Sequence, residues 1–182
     1  MPFTFQPTRL EGVFTVQPKV FSDDRGFFME VFKASDFKQI GIEKPMTQVN
    51  HSSSTRGVLR GLHYQIPPHA QAKLVRCIRG AIFDVAVNIQ KNSPQFGQWF
   101  GAELSENNKG LLYIPEGFAH GFYTLTEKAE VMYLTTDEYA PTCDRGIVYN
   151  DPAIGIAWPE GEMILSDKDM ASPVLNEAEV FV

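Results

Sequence analysis

An antiparallel β-sandwich or β-barrel is the fold class this sequence predicts, and three observations carry it. Short runs of alternating apolar and polar residues, rich in Val, Ile, Phe and Tyr, recur along the chain. Turn-forming clusters such as Asp23-Asp24-Arg25-Gly26 and Glu106-Asn107-Asn108-Lys109-Gly110 separate them. No stretch joins strand signals through the long amphipathic helix that a parallel βαβ unit needs.

In chain order, the alternation from Gly12 to Val20 predicts a strand, with Pro18 marking an edge or a break because it has no N–H to donate. Asp23-Asp24-Arg25-Gly26 is a turn between two strands, and Arg25 and Glu30 bracket large apolar residues. Ala34 to Gly41 is the best helix candidate, with Ser35 as cap and Gly41 as terminator. Thr47 to Ser54 reads as a polar strand that presents Gln48 and Asn50 on one face. Lys73 to Ile78 and Ala81 to Ile89 are the next strands. The second sets Phe83, Val85, Val87 and Ile89 against Ile82, Asp84, Ala86 and Asn88. If Asp84 faces inward it must be paired, since an isolated buried carboxylate is costly, and Lys73 or an arginine is the natural partner. Strands are also expected at Gln98 to Leu104, Leu111 to Ile114 and Glu130 to Thr136, the last with Val131, Tyr133 and Thr135 on one side. Beyond Tyr139 the chain reads as irregular, and Ser166 is placed to cap a short final turn.

Thr55 to Gln65 is the stretch around which the rest is organised. It sets Arg56, Arg60 and His63 into a strand punctuated by Gly57 and Gly61, and Lys73, Arg76 and Arg79 follow on the next apolar run. Such a cluster of fixed positive charge suits an anionic ligand better than a dry core. Strict alternation puts Arg60 and His63 on opposite faces, so both reach one site only if Gly61 hosts a bulge or Arg60 lies at a rim.

Composition bounds the function. The 182 residues fit a single domain spanning 1–182, and the net charge of −6 disfavours nucleic acid, which wants a basic face. The local cations therefore suggest a focused pocket for a small anion such as a phosphate. Cys77 and Cys143 are the only cysteines, which suggests neither a disulfide framework nor a zinc ribbon. No apolar run approaches the ~20 residues of a membrane helix. The start, Met1 to Pro7, lacks a basic region followed by an apolar one, so a cytoplasmic location without membrane partners is expected.

Gly110-Leu-Leu-Tyr-Ile-Pro-Glu-Gly-Phe-Ala-His120-Gly resembles the second motif of the cupin jelly roll. Cupins often hold a metal through a His-x-His pair, a Glu and this later His, but here the first motif is His63-Tyr64-Gln65, so no metal is expected. Seven blocks in order resemble the dTDP-4-dehydrorhamnose 3,5-epimerase family. They are Phe21-x-Asp-x-Arg25-Gly-x-Phe-x-Glu30, Gln48-x-Asn50-His-Ser, Gly57-Val-Leu-Arg60-Gly-Leu-His63-Tyr-Gln65, Lys73-Leu-Val-Arg, Phe83-Asp84-Val-Ala-Val, Pro115-Glu-Gly-Phe-Ala-His120-Gly-Phe and Leu165-Ser-x-Lys168-Asp169. Val49 and Tyr113 stand where close relatives are expected to carry Asp and Trp.

The resemblance implies a mainly β, antiparallel jelly-roll (cupin) barrel with a few short helices. It also implies a cofactor-free homodimer that inverts C3 and C5 of a dTDP-linked 4-keto-6-deoxy sugar. Both protons lie α to the C4 ketone, so the chemistry needs a base, an acid on the opposite face and a donor for the enolate oxygen. By family analogy His63 is the base, oriented by Asp169. Tyr133 is the acid, and Lys73, held by Asp84, steadies the enolate. Arg60 is matched to the diphosphate, and Tyr139 to thymine by stacking. Gln48, Asn50, His120, Asp144 and Lys168 are matched to substrate. Arg25 and Glu30 are expected to reach the nucleotide from the partner's amino-terminal strands.

Two neighbouring functions share many of these blocks. A single-site 3- or 5-epimerase keeps nearly all of them, and a non-catalytic nucleotide-sugar-binding cupin keeps the arginines without needing an acid–base pair. A metal-dependent cupin is disfavoured by the missing ligands.

Overall fold

The computed structural model describes residues 2–182, which form two facing antiparallel sheets and a separate hairpin. One sheet has six strands in the order β1 (Phe3–Pro7), β2 (Phe14–Pro18), β10 (Leu111–Ile114), β7 (Lys73–Arg79), β12 (Lys128–Thr135) and β5 (Gln48–Thr55). The other has five: β13 (Asp144–Gly146), β6 (Leu59–Gln65), β11 (Phe118–Thr124), β8 (Ala81–Asn88) and β9 (Trp99–Ser105). The hairpin pairs β3 (Val20–Asp23) with β4 (Gly26–Met29) across the expected Asp24-Arg25 turn. Helices α1 (Ala34–Lys38) and α2 (Asp167–Met170) are each little more than a turn. This is the expected mainly β jelly roll.

Alternation along the strands builds three apolar layers. Val75, Cys77 and Val131 of the six-stranded sheet meet Ile82, Ala86, Phe118 and Phe122 of the five-stranded sheet in the space between them. The outer face of the six-stranded sheet packs Leu74, Leu111 and Val16 against Phe37 of α1. The outer face of the five-stranded sheet packs Leu62, Tyr64, Val85 and Val87 under Ile147, Ile154 and Leu175. Fully burying one such side chain contributes roughly 1.5–3 kcal/mol. One end of the inter-sheet space is therefore plugged by large apolar groups, and polar side chains of the same strands line the other.

Three expectations need correction, and one strand was not foreseen. Ser35 is not a cap: it lies inside α1, whose N-cap is Lys33 with no side-chain cap bond. The helix is held instead by Phe37, which is fully buried and packs edge-on against Phe3 and Phe5 at ring distances of 5.4 and 5.0 Å. The amino-terminal run Phe3–Pro7 is a strand, paired with β2 from Phe3↔Pro18 to Pro7↔Phe14. Asp144–Gly146, read as irregular, pairs with β6. The cationic cluster disperses too, because Arg56 is exposed, Arg76 shares its strand face with outward-facing Leu74, and Arg79 pairs with Glu130 at 3.5 Å. Only Lys73 of that run points between the sheets. Ser166 caps α2 as expected, its side chain accepting from the Asp169 N–H at 3.2 Å.

Candidate active site

The polar end of the inter-sheet space is a cavity of about 460 Å³. Its walls come from both sheets. Gln48, Asn50 and Ser52 alternate along β5, Tyr133 stands on β12 opposite Asn50, and Lys73 stands on β7. From the other sheet come Arg60 and His63 of β6 and His120 and Phe122 of β11. Tyr139, Asp144 and Lys168 close the rim. Facing sheets pack about 10 Å apart, so the imidazole of His63 and the phenol of Tyr133 approach the enclosed space from opposite sides.

Arg60 and His63 share this cavity because β6 carries one residue too many. His120 pairs with His63 and Phe122 with Arg60, so two steps along β11 match three along β6. That irregularity is the bulge the spacing calls for. Gly61 makes it possible, with φ of 123° and its Cα so close to β11 that a Cβ would lie 2.6 Å from Gly121 Cα and 2.7 Å from the His120 carbonyl oxygen. A Gly61→Ala variant is expected to lose at least ~2 kcal/mol in a denaturant melt, because the clash is with backbone and the φ is one that L-residues avoid. A wild-type midpoint would refute this account of the bulge.

His63 Nε2 lies 2.5 Å from Asp169 Oδ1, the carboxylate being delivered by the capped turn α2. Burial pushes the Asp169 carboxyl up, but the hydrogen bond and charge of His63, with bonds from Ser166 and the Gly61 backbone, outweigh it and hold the group below its usual range. An ionised Asp169 fixes an N–H on Nε2 and leaves Nδ1 as the free base of the ring. Tyr133 is raised by burial, with Arg60 opposing and Asp144 adding to the rise, so it keeps its phenolic proton.

Lys73 is buried, and its ammonium donates to the His63 carbonyl at 3.2 Å. Burial lowers its pKa to about 8, against the upward pull of Asp144 and Asp84. Asp84 does not pair with Lys73 as expected, and it does not line the cavity. It is completely buried behind His120, whose Nε2 lies 2.8 Å from Asp84 Oδ1. The pairing rule for a buried carboxylate holds, but the partner is imidazole, because His120 and Asp84 approach each other from neighbouring strands of the same sheet while Lys73 reaches from the opposite one. Burial lowers the His120 pKa, and Lys73 and His63 add to that against Asp84. A neutral His120 suits hydrogen bonding to a sugar hydroxyl.

At the rim, Lys168 Nζ sits 2.5 Å from Asp144 Oδ2, and the Tyr139 hydroxyl donates to the same oxygen at 3.2 Å. Gln48 accepts from the Tyr139 N–H at 2.9 Å and donates to Asn50 Oδ1 at 2.8 Å. Arg60 is held by Ser54 Oγ at 3.0 Å and the Ser53 carbonyl at 3.3 Å, leaving its guanidinium edge toward the cavity. Arg25 and Glu30 are not brought here. Arg25 sits exposed on the β3–β4 turn in an ion pair with Asp23 at 2.5 Å, and Glu30 follows that hairpin. Ser52, Gln71 and Phe122 line the cavity without having been singled out. Ser52 was reachable from the i, i+2, i+4 series that begins at Gln48 and Asn50. Gln71, in a loop, carries no such signal.

Among the described residues no group of three or more His, Cys, Asp or Glu is placed to hold a metal ion. No helix is long and apolar enough to cross a membrane.

Comparison with known proteins decides the family. A family model described as dTDP-4-dehydrorhamnose 3,5-epimerase matches residues 7–177. The chain belongs to this family. It is 50% identical over 176 residues to the dTDP-4-dehydrorhamnose 3,5-epimerase of Shigella flexneri, covering 96% of this chain and 97% of that one. The Legionella pneumophila dTDP-6-deoxy-D-glucose-3,5-epimerase, solved in complex with dTDP-4-keto-L-rhamnose, superposes with a TM-score of 0.94 at 45% identity, covering 96% and 94% of the two chains. A 3'-monoepimerase from Streptomyces bikiniensis, solved with dTDP-quinovose, superposes at 0.88 with 39% identity and 93% and 87% coverage. The two departures from the family pattern lie off the site. Val49 is exposed on β5 with its side chain away from the cavity, and Tyr113 packs in the outer layer beside Phe37.

Proposed function

We propose that this chain is a dTDP-4-dehydrorhamnose 3,5-epimerase, converting dTDP-4-dehydro-6-deoxy-D-glucose to dTDP-4-dehydro-L-rhamnose without a cofactor. One observation carries the reading: a carboxylate-oriented imidazole and a protonated phenol enter one cavity from opposite sheets, with a buried ammonium between them. His63 Nδ1 takes the proton from the carbon α to the C4 ketone, and the electrons move onto the ketone oxygen. Lys73 stabilises the resulting enolate. Tyr133 delivers its proton to the other face of the carbon, which inverts it. The same cycle serves C3 and C5.

The diphosphate is held at the rim by Arg60 and Lys168, and thymine stacks on exposed Tyr139. Arg25 and Glu30 serve a second copy. Phe21, Phe27 and Phe28 lie exposed on the hairpin, as an arm reaching into a partner's cavity requires, so we assign a homodimer, and we place it in the cytoplasm, where a nucleotide-sugar substrate is made.

Solvent deuterium uptake tests this. Incubation with dTDP-4-keto-6-deoxyglucose in D₂O is expected to label both C3 and C5. Label at one carbon indicates a single-site epimerase, and none indicates a binding protein. Tyr133→Phe separates the two proton transfers, because His63 still forms the enolate and returns solvent-exchanged deuteron to the face it came from. Exchange should persist in this variant while inversion falls at least ~100-fold, the lower range for loss of a general acid. Equal loss of both would show that Tyr133 is not the opposite-face acid.

A further inference from the structure

Each inversion leaves His63 with one proton too many and Tyr133 with one too few. Resting on the double-epimerase reading, this has a consequence: the pair must be reset between the C5 and C3 inversions while a sugar occupies the cavity in front of it. Resetting returns one proton from the imidazolium to water and supplies one from water to the phenolate, with no net change in the solvent. The bound sugar obstructs the direct route to His63.

The fold provides another route. Behind β6 lies a second cavity of about 300 Å³, lined by Val58, Leu59, Ile164, Leu165, Ser166 and Asp169 together with His63, Arg60 and Lys168, the three residues that it shares with the main cavity. Ile164 and Ser166 are exposed, so this cavity meets bulk solvent on the side of α2, and Tyr133 does not line it. Asp169 lines this cavity and not the main one, whereas His63 lines both. His63, with Arg60 and Lys168, therefore forms the wall between two compartments, and Asp169 meets the imidazole from the rear one. Ile164 is tied in through its backbone, donating to the Gly57 carbonyl at 2.8 Å and accepting from the Leu59 N–H at 2.9 Å.

We propose that this rear cavity is the proton exit of the catalytic base, and that it makes two inversions in one binding event possible. Water in it accepts the proton that His63 took from the sugar, with Asp169 holding the ring throughout, while Tyr133 is reprotonated from water at the rim of the main cavity. Ile164 and Leu165, which line the rear cavity and not the main one, are then determinants of double against single inversion.

Filling the cavity tests the proposal. Ile164→Trp, changed at an exposed position whose backbone bonds survive, and Leu165→Trp are compared with wild type on dTDP-4-keto-6-deoxyglucose in D₂O. Early product is resolved into molecules deuterated at one carbon and at both. In at least one filled variant, the ratio of singly to doubly labelled product should rise at least ten-fold, with the rate of the first inversion within three-fold of wild type. Leu165→Ala, which widens the cavity, should keep the wild-type ratio and reports that the site tolerates change. If folded Trp variants keep the wild-type ratio, or lose both inversions in parallel, the exit lies elsewhere and the proposal fails. Absence of label from wild type would instead overturn the assignment of function, so the two failures are distinguishable.

Discussion

His63→Ala is expected to abolish exchange at both sugar carbons, lowering kcat/KM by about 10³-fold or more at pH 7, within the range for removing a positioned general base. The magnitude follows from the arrangement around the ring. Asp169, held ionised, commits one ring nitrogen to an N–H, so the other is a free lone pair already aimed from β6 into the cavity. No other imidazole is placed to substitute. His120 lines the same cavity, but its Nε2 is engaged by the buried Asp84 and it stands beside Tyr133 at a ring distance of 6.4 Å. Stopped-flow consumption of substrate and NMR detection of deuterium check the result together. Exchange at either carbon above a few per cent of wild type would show that a second base operates. The Asp169→Asn variant should retain binding while losing much of the rate, since an amide can present its carbonyl or its NH₂ to Nε2 and no longer fixes the tautomer.

Lys73→Met should separate activity from stability. The ammonium is buried, and burial lowers its pKa from 10.5 to about 8. A folded-state value below the unfolded one means the unfolded chain binds more protons across that window. Folding is therefore penalised by the charged lysine at neutral pH, and wild-type stability should rise as pH goes from about 8 toward 10.5. At ~1.4 kcal/mol per pKa unit the penalty is on the order of 3 kcal/mol, already net of the attraction from Asp144 and Asp84. Methionine has similar length and no charge, so the variant should be more stable at pH 7 by one to a few kcal/mol, roughly, and its stability should lose the rise above pH 8. Its kcat should fall about 10²–10³-fold, the cost of removing an oxyanion donor. Wild-type kcat/KM should decline above pH ~8, as the Lys73 ammonium gives up its proton and with it the charge that stabilises the enolate. Urea melts at pH 7 and 9.5 with a kcat/KM profile test both halves. A variant less stable than wild type at both pH values would mean that Lys73 holds the sheets together.

Both predictions turn on features the sequence showed unevenly. The two faces of β8 were legible from period-two alternation alone, and so was the obligation of Asp84, once turned inward, to find a partner. The partner's identity was not, because it depends on which strands become neighbours. His120 and Asp84 meet diagonally across β11 and β8, adjacent in space though far apart in sequence. The incompatible parities of Arg60 and His63 left either a bulge at Gly61 or a place for Arg60 at the rim, and the register shift between His120 and Phe122 supplies the bulge. Strand β1 was missed because Pro2 and Pro7 enclose it and Phe3 and Phe5 give only a brief apolar signal. The cationic run after Lys73 misled because charge counts along a strand ignore the face, and only Lys73 points inward. The roles of Asp169 and Tyr133 came through family resemblance. Nothing in spacing alone brings β12 and α2 to a ring on β6.

That last connection affects how the molecule comes to work. Asp169 joins His63 across 106 positions of sequence, after the chain has crossed the outer layer of the five-stranded sheet through Ile147 and Ile154. During synthesis, both sheets and the rim arginine exist before the orienting carboxylate leaves the ribosome. A nascent or carboxy-terminally clipped polypeptide would present a nucleotide-sugar receptor with an unanchored base. Catalytic competence thus waits on the segment that carries Asp169.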